Sequence, residues 1–298
     1  MTHSPWQQAV ADIGNRIPAP LILIAALVIL QISSGLAKTI MTPDNVAGLA
    51  FVRLVMGSML FWVVLRPPVG TYTREQWTDA LMLGVVLSFF TYLAYASITL
   101  MPLGLAVTVG FLGPLSVSLL STRRALDFLW PMLGFVGVYL LAPTTNNSDV
   151  TWQAIGVALA YAATWAFYIL ASARAGKSMK GLDGFTVASA IAAVLLMPFG
   201  IGDAAEFVGT PDRLMMTVVV TLLITIPLGM EFLALKRIEP RVFGVLLSLE
   251  PAIASVIGVV MLSEYLSLNS WVAIAMVTCA SLGVTFSRRD VTTPASDQ

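Results

Sequence analysis

Residues 240–255 read Pro240-Arg-Val-Phe-Gly-Val-Leu-Leu-Ser-Leu-Glu250-Pro251-Ala-Ile-Ala-Ser255, and residues 102–118 read Pro102-Leu-Gly-Leu-Ala-Val-Thr-Val-Gly110-Phe-Leu-Gly-Pro114-Leu-Ser-Val-Ser118. Each stretch opens on a proline, runs mostly apolar for about three helical turns, meets a second proline and continues in small residues. A proline inside a helix removes one backbone hydrogen bond, so Pro251 would free a backbone carbonyl close to Glu250. They are the fourth and ninth of ten apolar runs, each close to the ~20 residues a helix needs to cross hydrocarbon. The runs lie at about 20–38, 46–65, 77–97, 102–121, 127–143, 151–173, 184–201, 214–235, 241–262 and 268–286. Fourth and ninth places divide the runs into two halves of five. An odd number per half brings the second copy in from the opposite face. The expected fold is therefore an all-α integral membrane protein, with ten transmembrane helices as two inverted five-helix repeats. Secondary transporters are often built this way and bind substrate near the midplane between the repeats. The expected organisation is a cytoplasmic tail (1–19), a first repeat (20–143), a second repeat (151–286) and a cytoplasmic tail (287–298).

Composition points to the same solvent. Of 298 residues, 58% are apolar and 11% charged. Soluble domains carry about 25% charged residues. The runs are continuous rather than alternating, which selects helices over an outer-membrane barrel. Sixteen Lys and Arg balance sixteen Asp and Glu, so no basic excess exists to neutralise nucleic-acid phosphates. One cysteine (Cys279) and one histidine (His3) allow neither an internal disulfide nor a His/Cys metal cluster, and no cofactor motif is present. Arg16, the first run and Gly35-Leu36-Ala37 have the outline of a cleavable signal, but the run exceeds a typical signal core and reads as a span.

Charge placement orients the spans. One side holds Arg16, Arg66, Arg74, Arg123, Arg124, Arg174, Lys177, Lys180, Lys236, Arg237, Arg241, Arg288 and Arg289, with both termini. The other holds Lys38 and Arg213 among the acids Asp44, Asp149, Asp203, Glu206, Asp212 and Glu264. The positive-inside rule then makes both termini cytoplasmic.

Three charges fall inside spans: Arg53, Glu231 and Glu250. Each costs about 2.5–3.5 kcal/mol at a helix centre on insertion scales, which makes it a candidate for function. Glu250 could alternate between protonated and ionised forms as a transport cycle exposes it to each face, or serve as a structural partner of Arg53. Arg53 could hold a substrate carboxylate or pair with Glu250. Glu231, one turn after Pro227, could contact substrate or proton, or snorkel and pair with Lys236. Lys38 reads as an interfacial anchor or a second carboxylate ligand. Tyr92 and Tyr95 are three apart on span three, as are Trp165 and Tyr168 on span six, so each pair shares a helix face. Such faces can wall a cavity around an ammonium or an apolar side chain, or simply pack. Trp6, Trp62, Trp77, Trp130, Trp152 and Trp271 sit near span ends as interfacial residues. Gly104, Gly110, Gly113, Ala252, Ala254 and Gly258 permit close helix approach.

Arg53-Leu54 in span two and Leu249-Glu250-Pro251-Ala252 in span nine resemble the EamA branch of the drug/metabolite transporter superfamily. Gly35-Leu-Ala-Lys38, Pro102-Leu-Gly-Leu-Ala-Val, Gly113-Pro114-Leu, Arg123-Arg124-x-x-Asp127-Phe-x-Trp130, Trp165-Ala-x-Tyr168-Ile-Leu and Arg174-Ala-Gly176 resemble its threonine/homoserine exporter subgroup, over residues from about 21 to 289. The resemblance implies an inner-membrane carrier exporting small amino acids, driven by protons. The subgroup usually has a Glu a few residues before Gly-Pro in span four, where this chain has Val109-Gly110-Phe111. Glu250 or Glu231 would then have to substitute, or the substrate differs.

The expected site therefore places Arg53, or Lys38, on a substrate carboxylate. Glu250, with Glu231 next, faces the ammonium or carries the proton, and Tyr95, Trp165 and Tyr168 form the wall. The alternative substrate is a purine, an aromatic amino acid or a drug-like cation. An intramembrane enzyme is not expected, because the in-membrane acids sit singly on separate helices and His3 and Cys279 supply no nucleophile–base set. The expected partners are a small-molecule substrate, protons and the lipid bilayer. A monomer and a homodimer are equally compatible with the sequence.

Overall fold

The computed structural model of the chain describes residues 18–120, 128–141, 150–179, 182–235 and 240–287. Among these residues there are helices and no strand. They run α1 Ala19–Ile40, α2 Val46–Leu65, α3 Arg74–Leu100, α4 Leu103–Gly110, α5 Leu112–Leu120, α6 Leu129–Tyr139 and α7 Trp152–Ser178. Then follow α8 Asp183–Gly200, α9 Ala204–Val208, α10 Pro211–Leu235, α11 Pro240–Leu247, α12 Glu250–Leu262 and α13 Leu268–Ser287. Local chemistry sets several ends. Thr73 and Gln76 form a reciprocal capping box that starts α3, and the Thr151 hydroxyl accepts from Ala154 N–H to start α7.

Two helix breaks follow the prolines. A proline clashes with the carbonyl four residues earlier and cannot donate to it. Four residues before Pro114 is Gly110, where α4 ends, and four before Pro251 is Leu247, where α11 ends. The two breaks fall at corresponding places in the fourth and ninth apolar runs.

Eight segments are long and apolar enough to cross a membrane, with 242–262 counted as one. Two more, Leu103–Val117 and Leu129–Tyr139, are apolar but shorter. The expected fifth span at 127–143 is thus described as a helix only over 129–139. A short helix not expected from the sequence, α9, docks through the fully buried Phe207.

The exterior is more apolar than a soluble surface tolerates: Phe135, Phe167, Phe199 and Val260 are exposed. Inside lie Gln31, Ser33, Thr91, Ser97, Thr108, Glu250 and Ser255. That inversion fits hydrocarbon as the surrounding solvent. Trp62, Trp77, Trp152 and Trp271 are exposed near helix ends as expected, whereas Trp130 packs inward against Gly283. Trp6 lies outside the described residues.

The main pairings are α3 with α7 and α8, α1 with α10, α2 with α8, α6 with α13, and α4 with α12. Small residues allow the close ones. A Cβ on Gly113 would strike the Ala162 carbonyl on α7, and one on Gly104 would strike Ser255 on α12.

The two ends of the bundle differ. At one end Lys38 Nζ pairs with Glu264 Oε1 at 2.6 Å and donates to the Met101 carbonyl at 2.7 Å. Nearby, Asn45 donates to Glu206 at 2.7 Å. At the other end Arg174 Nε pairs with Asp79 Oδ1 at 2.6 Å, and Gln76 donates to the Ser178 carbonyl at 2.7 Å. Arg66, Arg74 and Lys177 share that second end. Arg16, Arg123, Arg124, Lys180, Lys236, Arg237, Arg288 and Arg289 lie outside the described residues. Asp79 is buried while Arg174 is largely exposed. Arg174→Met should therefore leave an unpaired buried carboxylate and cost about 1.5–3 kcal/mol, less whatever solvent screening remains. Thermal unfolding of purified protein in detergent reads it, and an unchanged midpoint would show the pair to be idle.

Candidate functional site

Ordinary amphipathic logic would put polar groups of a membrane helix at its ends. Here five helices place them midway instead. On α12, Glu250 is the first residue after the break, and its carboxylate Oε1 accepts from Gln31 Nε2 on α1 at 3.1 Å. Both residues are buried. On α2, Arg53 Nη2 donates to Thr91 Oγ1 on α3 at 2.9 Å, and the guanidinium carbon stands 5.4 Å from the centre of the Tyr95 ring. Among the described residues Arg53 has no carboxylate within ion-pair distance. The expected alternative of an Arg53–Glu250 pair is therefore not formed: Thr91 and Tyr95 hold the guanidinium, and Gln31 holds the carboxylate.

A further group of side chains forms an aromatic wall. Tyr161, Trp165 and Tyr168 on α7 recur at intervals of four and three, so one helix face presents all three rings. Phe90 of α3 stacks on Tyr168 with centroids 5.0 Å apart and lies 5.4 Å from Tyr161 and 5.9 Å from Trp165. Tyr161 and Trp165 stack at 5.4 Å, and Phe111 at the α4–α5 break meets Trp165 edge-on at 5.7 Å. The wall joins the charges. Tyr168 lies within electrostatic range of both Arg53 and Glu231, Tyr161 within range of Glu250, and Glu231 within range of Glu250. Of the residues singled out in the sequence, Arg53 thus touches Tyr95, and Trp165 and Tyr168 share the ring stack, while Glu231 and Glu250 reach this group only at electrostatic range.

Lys38 stands apart from it. Seven residues beyond Gln31, it is about 10 Å further along α1, tied to Glu264 and Met101. Glu264 also accepts from Leu103 N–H at 2.8 Å. The α12 cap produces this geometry. Ser263 adopts a left-handed φ of 54° and Glu264 N–H returns to the Gly258 carbonyl at 3.1 Å, folding the carboxylate back across the helix end. Tyr92 is half out in the lipid-facing surface while Tyr95 is buried, so that pair does not act as one face. The proposed partner of Glu231, Lys236, lies outside the described residues.

Sequence reading missed Gln31, Thr91, Phe90 and Tyr161. Tyr161 was accessible from spacing alone, one turn before Trp165. Gln31 had a signal too, as the one amide in an apolar run. A side chain at Gly110 would collide with the Tyr161 ring, so the phenol ring fills the space beside the α4–α5 break.

Among the described residues there is no group of three or more His, Cys, Asp or Glu able to hold a metal. Arg53, Glu250 and the rings of Phe90, Tyr161, Trp165 and Tyr168 all lie on helices long and apolar enough to cross a membrane.

Comparison with known proteins agrees with this architecture. A model described as the EamA-like transporter family matches residues 152–286. The threonine/homoserine exporter RhtA of Escherichia coli (strain K12) is 35% identical over 270 residues, covering 90% of this chain and 91% of that protein. RhtA of Salmonella typhimurium (strain LT2) is 35% identical over 271 residues, covering 90% and 92%. A solved crystal structure superposes with a TM-score of 0.62 at 17% identity, over 92% of this chain and 99% of that one, which bears on the fold alone. The chain belongs to the EamA-like transporters of the drug/metabolite transporter superfamily, and among them it is similar to the threonine/homoserine exporters.

Proposed function

We propose that the chain is an inner-membrane secondary transporter that exports small amino acids of the threonine/homoserine type, coupled to protons, by alternating access. One observation carries the reading: a guanidinium with a donor unpartnered among the described residues and a buried carboxylate are held on different helices. A zwitterion offers a carboxylate to Arg53 and an ammonium to Glu250, with Glu231 next to it. Tyr95, Trp165 and Tyr168 then bound the side chain. Likeness to RhtA supports the substrate class.

Inverted repeats at 20–143 and 151–286 are part of the same proposal, flanked by tails at 1–19 and 287–298. Exchanging each span with the one five later converts the α3–α7 pairing into α10–α1, α3–α8 into α10–α2, and α4/α5–α7 into α11/α12–α1. The α2–α8, α4–α12 and α6–α13 pairings map onto themselves. Both termini would be cytoplasmic, placing the Lys38 end outside.

The stacked rings also favour a second reading, a flat aromatic or cationic solute, as in purine, aromatic amino-acid or drug-like cation export. Efflux from loaded proteoliposomes across this panel separates the two. Threonine and homoserine efflux should accelerate under an inward proton gradient. A panel in which only aromatic or cationic solutes move would sink the amino-acid reading.

In this reading Lys38 and Glu264 close the outer end. Glu264→Gln removes a half-buried ion pair and should shift the population toward the outward-open state by about five- to tenfold. Labelling of a Thr91→Cys, Cys279→Ser protein by an external impermeant thiol reagent should speed up accordingly. Labelling at the parent rate would show that the pair is no gate.

A further inference from the structure

We propose that the carbonyl oxygen of Gln31 reads the side-chain hydroxyl of the substrate, so that Gln31 selects hydroxylated amino acids over apolar ones of equal size. This inference rests on the amino-acid reading above. The orientation of the amide follows from its partner. While Glu250 is ionised it accepts and does not donate, so the NH2 group of Gln31 faces it, as the 3.1 Å contact has it. The planar amide then turns its oxygen away from Glu250. That oxygen is buried and has no partner among the described residues, on a residue only 2% exposed. A buried unpaired acceptor is costly, and helices in lipid rarely carry one without use.

The other unpartnered groups of the cluster show what kind of ligand group the oxygen would meet. Arg53 Nε and Tyr95 OH are also buried without a partner among the described residues. Both can donate, and a substrate carboxylate needs donors. The charge of Glu250 suits the ammonium. The amide oxygen of Gln31 is a neutral acceptor, suited to a neutral donor such as an alcohol. Threonine and homoserine, the two solutes in the name of the relatives, share a side-chain hydroxyl. A site that hydrogen-bonds a hydroxyl discriminates strongly against an analogue lacking it, because the buried acceptor is then left unpaired.

The test is exchange in proteoliposomes at equal pH on both sides, which removes proton coupling from the readout. Two pairs are compared, threonine with valine and homoserine with norvaline, each pair differing by a hydroxyl in place of a methyl. The parent protein should prefer the hydroxylated member of each. Gln31→Met, close in shape but without the acceptor, should lower that preference by about tenfold or more while valine exchange persists, which also shows that the variant folds. An unchanged preference, or an equal loss for all four solutes, overturns the role of Gln31 and leaves the amino-acid reading standing. A parent protein that exchanges none of the four overturns the amino-acid reading, and this inference with it.

Discussion

Glu250→Gln should reduce proton-driven efflux of threonine and homoserine by about 10- to 100-fold while leaving the protein folded. The magnitude follows from losing one hydrogen bond to a charged group, about 1.5–3 kcal/mol, at about 1.4 kcal/mol per tenfold. Folding should survive because the substitution is nearly isosteric. A glutamine at this position still offers a carbonyl oxygen to Gln31 Nε2, so the contact between α1 and α12 persists. What disappears is the negative charge and the ability to take up and release a proton. An exporter driven by protons needs both if this carboxylate trades its proton for the substrate ammonium. Efflux into a medium more acidic than the vesicle lumen, compared with efflux at equal pH, checks the expectation. Wild-type efflux that still responds to the gradient would remove Glu250 from the coupling step and leave Glu231 as the carboxylate to examine. Exchange at equal pH adds a second distinction. Retained exchange would make Glu250 a proton carrier, and lost exchange would make it the ammonium ligand as well.

The second large effect concerns packing. Gly104→Ala and Gly156→Ala are the same chemical change in two membrane helices, and they should act with opposite sign. A Cβ on Gly104 would lie 2.6 Å from the Cα of Ser255 and 2.7 Å from its Cβ. Backbone cannot step aside as a side-chain tip does, so α4 and α12 would have to separate at this crossing. Overpacking typically costs 1–3 kcal/mol, and the upper end, about 3 kcal/mol, is expected here. A Cβ on Gly156 meets nothing within 4 Å, so alanine there should be neutral or stabilising by up to about 1 kcal/mol. Thermal melting and the monodisperse yield in detergent read both. Equal melting of the two variants would mean that the α4–α12 crossing is looser than its geometry indicates.

Much of the fold was legible because membrane insertion is a local property. About 20 successive apolar residues suffice to identify a span, and a proline disrupts its own helix at the residue four before it, wherever the helix sits. The apolar runs and the segregation of Lys38 from Arg174 at opposite ends could be read without knowing which helix touches which, whereas the breaks ending at Gly110 and Leu247 were seen only in the structure. The identity of Arg53, Glu231 and Glu250 as the charges to watch followed from the same local cost.

Tertiary structure alone decided their partners. Gln31 and Glu250 are 219 residues apart, and Lys38 and Glu264 are 226 apart. Which residues meet over such distances depends on the rotation and depth at which two helices pack, and small residues such as Gly104 and Gly113 set both. Apolar periodicity carries no information about that choice, because in hydrocarbon every face of a span can be apolar. Hence the chain's text showed that Arg53 and Glu250 were charges inside spans, but only packing gave one to Thr91 and Tyr95 and the other to Gln31.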